Sequence, residues 1–150
     1  MTTRVAVIGA TGKMGRLVSS LIEHTEGYEL VARLNSRSRL SEMLGADVAV
    51  DLTVPGVSQS VVEFAVANGI RVLVGTSGWS QERIDSLTHR ITGRDDTGVV
   101  IIPNFSVGSI LGTAFAALAA RFYDSIEIVE AHQAGKVVSP SYTPGAGNVW

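Results

Sequence analysis

His132 and Lys136 set a protonatable imidazole and an ammonium group four positions apart in "EAHQAGKVVSPSYTPGAGNVW", residues 130–150. Such a pair offers general acid–base chemistry together with a positive charge that attracts an anionic substrate. Far upstream, "VIGATGKMGR" places Gly9, Gly12 and Gly15 at G-x-x-G-x-x-G spacing. Glycines so placed let a loop turn tightly, bring backbone N–H groups against a phosphate and hand the anion to the positive end of a helix. They would equally serve a tight turn that binds nothing, so the elements around them decide.

Those elements alternate. Short β-branched runs are separated by longer segments of helical period, the pattern of βαβ units and a parallel sheet, so the fold class expected is α/β. Strands are expected at residues 4–9, 29–33, 48–52, 71–74 and 99–102. After the first strand Met14, Leu17, Val18, Leu21 and Ile22 form one apolar stripe of a helix. A second helix is expected at residues 58–68, stopped by Gly69, and a third is capped by Ser80, with Ile84, Leu87, Thr88 and Ile91 on one face. An alanine-rich helix at residues 109–121 leads into a strand-like run at 125–132, and from Val137 the composition is that of a loop. A soft boundary near Ser106 divides a nearly complete nucleotide-binding half, residues 1–106, from the beginning of a second domain, residues 107–150.

The chain has 150 residues, enough for one domain that buries roughly two-thirds of its unfolded surface. A net charge of −2 from 12 basic and 14 acidic residues gives no footprint for nucleic acid or an anionic membrane. Cysteine is absent and the three histidines are dispersed, so no metal site is expected. The most apolar stretch, residues 110–120, is too short to span a bilayer, and the start shows no signal peptide, which fits a cytoplasmic protein.

The position of the glycine loop, after a strand and before an amphipathic helix, favours a dinucleotide ligand. Where an NAD-preferring site places an acid for the ribose hydroxyls, this chain has Asn35, followed by Ser36, Arg37 and Arg39 and preceded by Arg33. Hydroxyl and guanidinium groups there could meet a 2′-phosphate, which favours NADP or dual use; a solvated cluster of arginines is the other reading. Two more segments end predicted strands, "GTSGW" at 75–79 and "IPNFSVG" at 102–108. The first could pass close to a nicotinamide ribose, while Asn104 and Phe105 could position the ring; either can also be turn chemistry alone.

In this order, "GATGKMG", "GTSGW", "PNFSVG" and "EAHQAGK" with "SPSYT" behind it, the chain resembles the 4-hydroxy-tetrahydrodipicolinate reductase family, also called dihydrodipicolinate reductase. The resemblance implies a Rossmann-like sheet with flanking helices followed by the start of an α+β substrate domain. It implies NADPH or NADH as cofactor, a small cyclic dicarboxylate of the diaminopimelate and lysine pathway as substrate, and assembly as a homo-oligomer, a tetramer in the family. By position, Gly9, Ala10, Thr11, Gly12, Lys13 and Met14 become the pyrophosphate loop. Gly75, Thr76 and Ser77, with Ile102, Pro103, Asn104 and Phe105, become the nicotinamide side. His132 becomes a proton donor or acceptor, Lys136 the proton donor, and Gln133, Tyr142 and Thr143 substrate contacts. Gln133 stands for a second histidine of the family pattern, Val138 for an aspartate and Tyr142 for a glycine. Because family members continue well past this point, the chain is expected to hold cofactor while reduction is impaired. The other reading is a non-catalytic dinucleotide-binding module derived from the family.

Overall fold

The structure, a computed structural model, describes residues 1–102 and 104–127. The chain divides into two compact units, Met1–Ile102 and Pro103–Trp150. In the first, five strands alternate with helices: β1 (Thr3–Ile8), α1 (Lys13–Glu23), β2 (Tyr28–Leu34), a 3-10 turn (Leu40–Met43), β3 (Val48–Asp51), α2 (Pro55–Ala67), β4 (Arg71–Val74), α3 (Gln81–Ile91) and β5 (Val99–Ile101). The described part of the second unit holds α4 (Val107–Ala119) and a 3-10 turn (Ala120–Phe122).

All four strand pairings are parallel, and the sheet order is β2-β1-β3-β4-β5. This is a doubly wound, Rossmann-like sheet whose winding reverses between β1 and β3. At such a reversal the loops leaving two adjacent strands diverge and open a crevice at the carboxyl edge. The central strands are apolar on both faces, as a sheet covered by helices requires. Ala6 and Ile8 of β1 pack in a larger core with Val61, Val62 and Val66 of α2 and Leu87 of α3. Val5 and Val7 point the other way, into a smaller core with Val18 and Ile22 of α1.

The expected strands are all present, with ends shifted by a residue or so. α2 begins at Pro55 rather than at 58, because proline suits a first helical position that needs no N–H acceptor. α4 begins at Val107, with the Ser106 side chain accepting the N–H of Ser109. Ser80 caps α3 as expected, accepting from the N–H of Arg83 at 3.4 Å. Of the strand-like run at 125–132, residues 125–127 carry no regular structure and the remainder lies outside the described residues.

The stripe expected on α1 is corrected. Met14, Leu17 and Leu21 are exposed, and the helix turns Gly15, Val18, Ser19 and Ile22 to the sheet. The cause is a close approach of backbones. A Cβ on Gly15 would lie 2.1 Å from the carbonyl oxygen of Gly9 and 2.7 Å from the Cα of Ala10. Only a face of small residues allows that contact, so Gly15 and buried Ser19 win it over the leucines.

Candidate functional site

The loops that leave β1, β2, β3 and β4 meet at the carboxyl edge of the sheet. After β1, Gly9 adopts a φ of +82°, and a Cβ there would meet the Leu52 carbonyl oxygen at 2.4 Å. Glycine is therefore required both by conformation and by contact with the loop after β3. The N–H groups of Gly9 and Ala10 both donate to the Leu34 carbonyl at 3.0 Å, and that of Gly12 donates to Gly9 O at 3.0 Å. The guanidinium of Arg16 donates to the carbonyl of Thr11 and closes the turn from outside.

Gly12 is the N-cap of α1 and has no side chain to satisfy the first turn, which also lacks an acidic residue. Among the described residues, the N–H groups of Lys13, Met14 and Gly15 find no acceptor. Unpartnered donors at the positive end of a helix, with Lys13 beside them, make a fitting seat for a phosphate group.

After β2 the loop is held by its own side chains. Asn35 Oδ1 accepts the Arg37 N–H at 2.9 Å, and the Asn35 N–H donates to Ser38 Oγ at 3.3 Å. Ser36, Arg37 and Arg39 are exposed, and neither guanidinium forms an ion pair among the described residues. Arg33 is differently placed, since it pairs with Glu23 of α1. An open groove of about 330 Å³ runs here beside the glycine loop, lined by Thr11, Arg16, Ser20, Glu23 and Arg33 among others.

The loops after β3 and β4 share a feature that the sequence reading missed. Asp51, at the end of β3, is completely buried. Its Oδ1 accepts from the N–H of Thr53 at 3.1 Å and from Thr53 Oγ1 at 2.6 Å, and its Oδ2 accepts from the Ser58 hydroxyl. Ser58 Oγ in turn accepts the indole N–H of Trp79 at 3.0 Å. The main-chain carbonyl of Asp51 receives the Gly75 N–H at 2.8 Å and the Thr76 hydroxyl at 3.4 Å. Thr76 is thereby buried, while Gly75 and Ser77 stay partly exposed. A carboxylate closing the apolar run "VAVD" was the available signal.

Ile102 ends the first unit, its N–H donating to the Val74 carbonyl at 2.8 Å. In the second unit Asn104 spans its own turn, with Nδ2 donating to Ser109 Oγ at 2.7 Å and Oδ1 accepting the Ser106 N–H at 2.8 Å; Phe105 is exposed. Pro103, His132, Gln133, Lys136, Tyr142 and Thr143 lie outside the described residues. The structure thus brings together the loops at residues 9–14, 51–58 and 75–79, with the 35–39 turn beside them.

Comparison with known proteins gives concordant results. The family described as "Dihydrodipicolinate reductase, N-terminus" matches residues 3–105. A 4-hydroxy-tetrahydrodipicolinate reductase of Clavibacter sepedonicus is 66% identical over 143 residues, which cover 95% of this chain and 52% of the relative. One from Cutibacterium acnes is 42% identical over 140 residues, 93% of this chain and 57% of the relative. Among solved structures, the dipicolinate-bound dihydrodipicolinate reductase of Paenisporosarcina sp. TG-14 superposes with a TM-score of 0.71 at 26% identity, over 99% of this chain and 64% of that one. The chain spans about half the length of the curated relatives it matches.

Proposed function

The chain belongs to the dihydrodipicolinate reductase family, and from that premise we propose that residues 1–106 form the dinucleotide-binding part of a reductase that reduces 4-hydroxy-tetrahydrodipicolinate to tetrahydrodipicolinate with NADPH or NADH. The observation that carries the reading is the start of α1, where three N–H groups lack acceptors among the described residues, beside a glycine N-cap. A dinucleotide pyrophosphate fits that seat, and its nicotinamide supplies hydride when bound.

The chain's own residues divide the remaining work. Lys13, Met14 and Gly15 hold the pyrophosphate through their N–H groups, and Gly12 leaves room for it. Ser36 and Arg37 reach toward the adenosine ribose, with Asn35 shaping their turn. Gly75 and Ser77 flank the nicotinamide ribose, while Thr76 anchors their loop to β3. Ile102, Pro103, Asn104 and Phe105 complete the nicotinamide side. Hydride taken up by the ring replaces the 4-hydroxyl, which leaves as water with a proton that His132 and Lys136 deliver, and the positive charge of Lys136, with Gln133 and Thr143, draws the substrate carboxylates. The second domain begins in the segment 107–150. The setting is lysine and diaminopimelate biosynthesis in the cytoplasm, by a homo-oligomer. Among the described residues no helix is long and apolar enough to cross a membrane.

The test has two arms. Calorimetric titration of the chain with NADPH and NADH is expected to give saturable binding. Steady-state assay with the dicarboxylate substrate, in this chain and in a full-length relative, is expected to lose rate on replacing the residue aligned with Lys136 by alanine. Absence of dinucleotide binding by a folded chain rejects the cofactor site, and a rate untouched by the lysine substitution rejects the proton donor.

A further inference from the structure

The hydrogen-bond chain from Asp51 to Trp79 has a direction. An indole N–H can only donate, so Ser58 Oγ must accept from Trp79 and spend its own proton on Asp51. Thr53 donates twice to the other carboxylate oxygen. Every described partner of the Asp51 side chain is therefore a donor, the set that suits an ionised carboxylate. No cation pairs with it among the described residues.

A carboxylate is an expensive choice for this position. Its register partners, Ile8 on β1 and Val74 on β4, are apolar, and a well-packed apolar residue in such a place commonly serves stability as well or better. The return lies in what the group ties together. Its side chain gathers the turn after β3, the first turns of α2 and the indole of the loop after β4, and its carbonyl holds Gly75 and Thr76 of that same loop. The loop is seated on α2 a second time, where Gly78 comes so near Pro55 that a Cβ would lie 3.1 Å from the proline ring.

We propose that Asp51 is a positioning residue which, through Ser58 and Trp79, fixes the 75–79 loop against the start of α2 and so sets affinity for the nicotinamide half of the dinucleotide. The proposal rests on the cofactor reading above. It assigns Asp51 no contact with cofactor or substrate.

The probes are NADPH, NADH and ADP, the last carrying the pyrophosphate without the nicotinamide ribose. Binding of each is measured to the full chain and to its Asp51→Asn, Ser58→Ala and Trp79→Phe variants. Both dinucleotides are expected to bind about tenfold more weakly to the variants, while ADP affinity changes less than about twofold. Trp79→Phe removes the N–H together with one ring of the indole, and Ser58→Ala removes the acceptor while leaving the indole whole, so the two stand as a pair even where Asp51→Asn fails to fold. A second readout uses no cofactor. In a Trp150→Phe background Trp79 is the sole indole, and Ser58→Ala is expected to shift its emission to longer wavelength. Equal losses for ADP and dinucleotide would mean a general structural role, and unchanged dinucleotide affinity in folded Trp79→Phe would mean no role at all; either overturns the proposal. A wild-type chain that binds none of the three probes defeats the cofactor reading instead, and the indole emission then shows separately whether Ser58 holds Trp79.

Discussion

Two loops at the carboxyl edge of one sheet are built on opposite plans. The 9–14 loop is fixed by backbone packed on backbone: Gly9 against Leu52, Gly15 against Gly9, and two N–H groups on the Leu34 carbonyl. The 35–39 loop is an exposed turn whose shape comes from Asn35 and Ser38 bonding within it. The difference follows from the tasks assigned to them. N–H groups aimed at a pyrophosphate must keep their directions, because a hydrogen bond weakens steeply when misaligned. A guanidinium that meets a 2′-phosphate needs reach more than rigidity, since charge acts over several ångströms. On the proposed reading, residues in the first loop carry fold and binding together, and residues in the second can change with little cost to the fold.

The sharpest way to break this contrast is inside the glycine loop. Gly15→Ala forces a Cβ into backbone atoms that cannot swing away, and Gly9→Ala adds a disfavoured φ to a similar clash. Each is expected to cost about 3 kcal/mol or more in chemical denaturation. Gly12→Val is the control. Gly12 has a φ of −69°, open to any residue, and a Cβ there meets only Gly9 O at 3.3 Å. The fold should survive while NADPH and NADH binding collapse, because the branched side chain stands where the pyrophosphate would sit. Undiminished affinity in a folded Gly12→Val chain, read by calorimetry, moves the phosphate seat elsewhere.

A smaller effect is expected in the second loop. Arg37→Ala should weaken NADPH by about 1 to 2 kcal/mol, leave NADH nearly unchanged and leave the denaturation midpoint where it was. Arg33→Ala should discriminate less, because Glu23 already engages that guanidinium. Equal losses for both cofactors on Arg37→Ala erase the division of labour between the loops.

The parallel α/β sheet was legible because apolar runs of strand length alternate with helical periods, and the five runs in residues 1–102 became its strands, β1 and β3 largely buried and the edge strands β2 and β5 more open. The glycine loop was legible because its requirement is local, a tight turn between two such elements. What escaped was set by contacts between distant segments. Leu17 and Leu21 read as core because they are apolar, yet the approach of Gly15 to Gly9 rotated α1 and left them exposed. Arg33 stood beside Arg37 as one guanidinium that could meet a 2′-phosphate, and its pairing with Glu23 of the preceding helix is a contact the local sequence does not display. Asp51 drew no notice because, beyond the local turn with Thr53, its chain of partners runs to Ser58, 7 residues away, and 21 further to Trp79, with no periodicity to link them.

The weakest expected effect comes from the opposite, amino edge of the sheet, where nothing is assigned to the ligand. There the Arg4 N–H donates to Asp47 Oδ2 at 2.7 Å and its guanidinium pairs with Oδ1 at 3.3 Å. The Arg4 N–H first, and then its side chain, hold the Asp47 carboxyl below its usual value. The Arg94 guanidinium, bonded to Asp96 just before β5, does the same there. A carboxyl lowered by folding lends stability at pH values above the ordinary carboxylate pKa of about 4, and that stability is lost as pH falls through the lowered folded value. Acid unfolding below about pH 4 should therefore draw in part on these two groups. Both are solvent-exposed, so the contribution is small and screened by salt. Asp47→Asn should flatten the acid limb of the stability profile slightly and leave cofactor affinity at pH 7 unchanged. Loss of NADPH binding at pH 7 in that variant would couple the two edges of the sheet through β1 and β3, and the carboxyl-edge loops could no longer be treated as held by their own contacts.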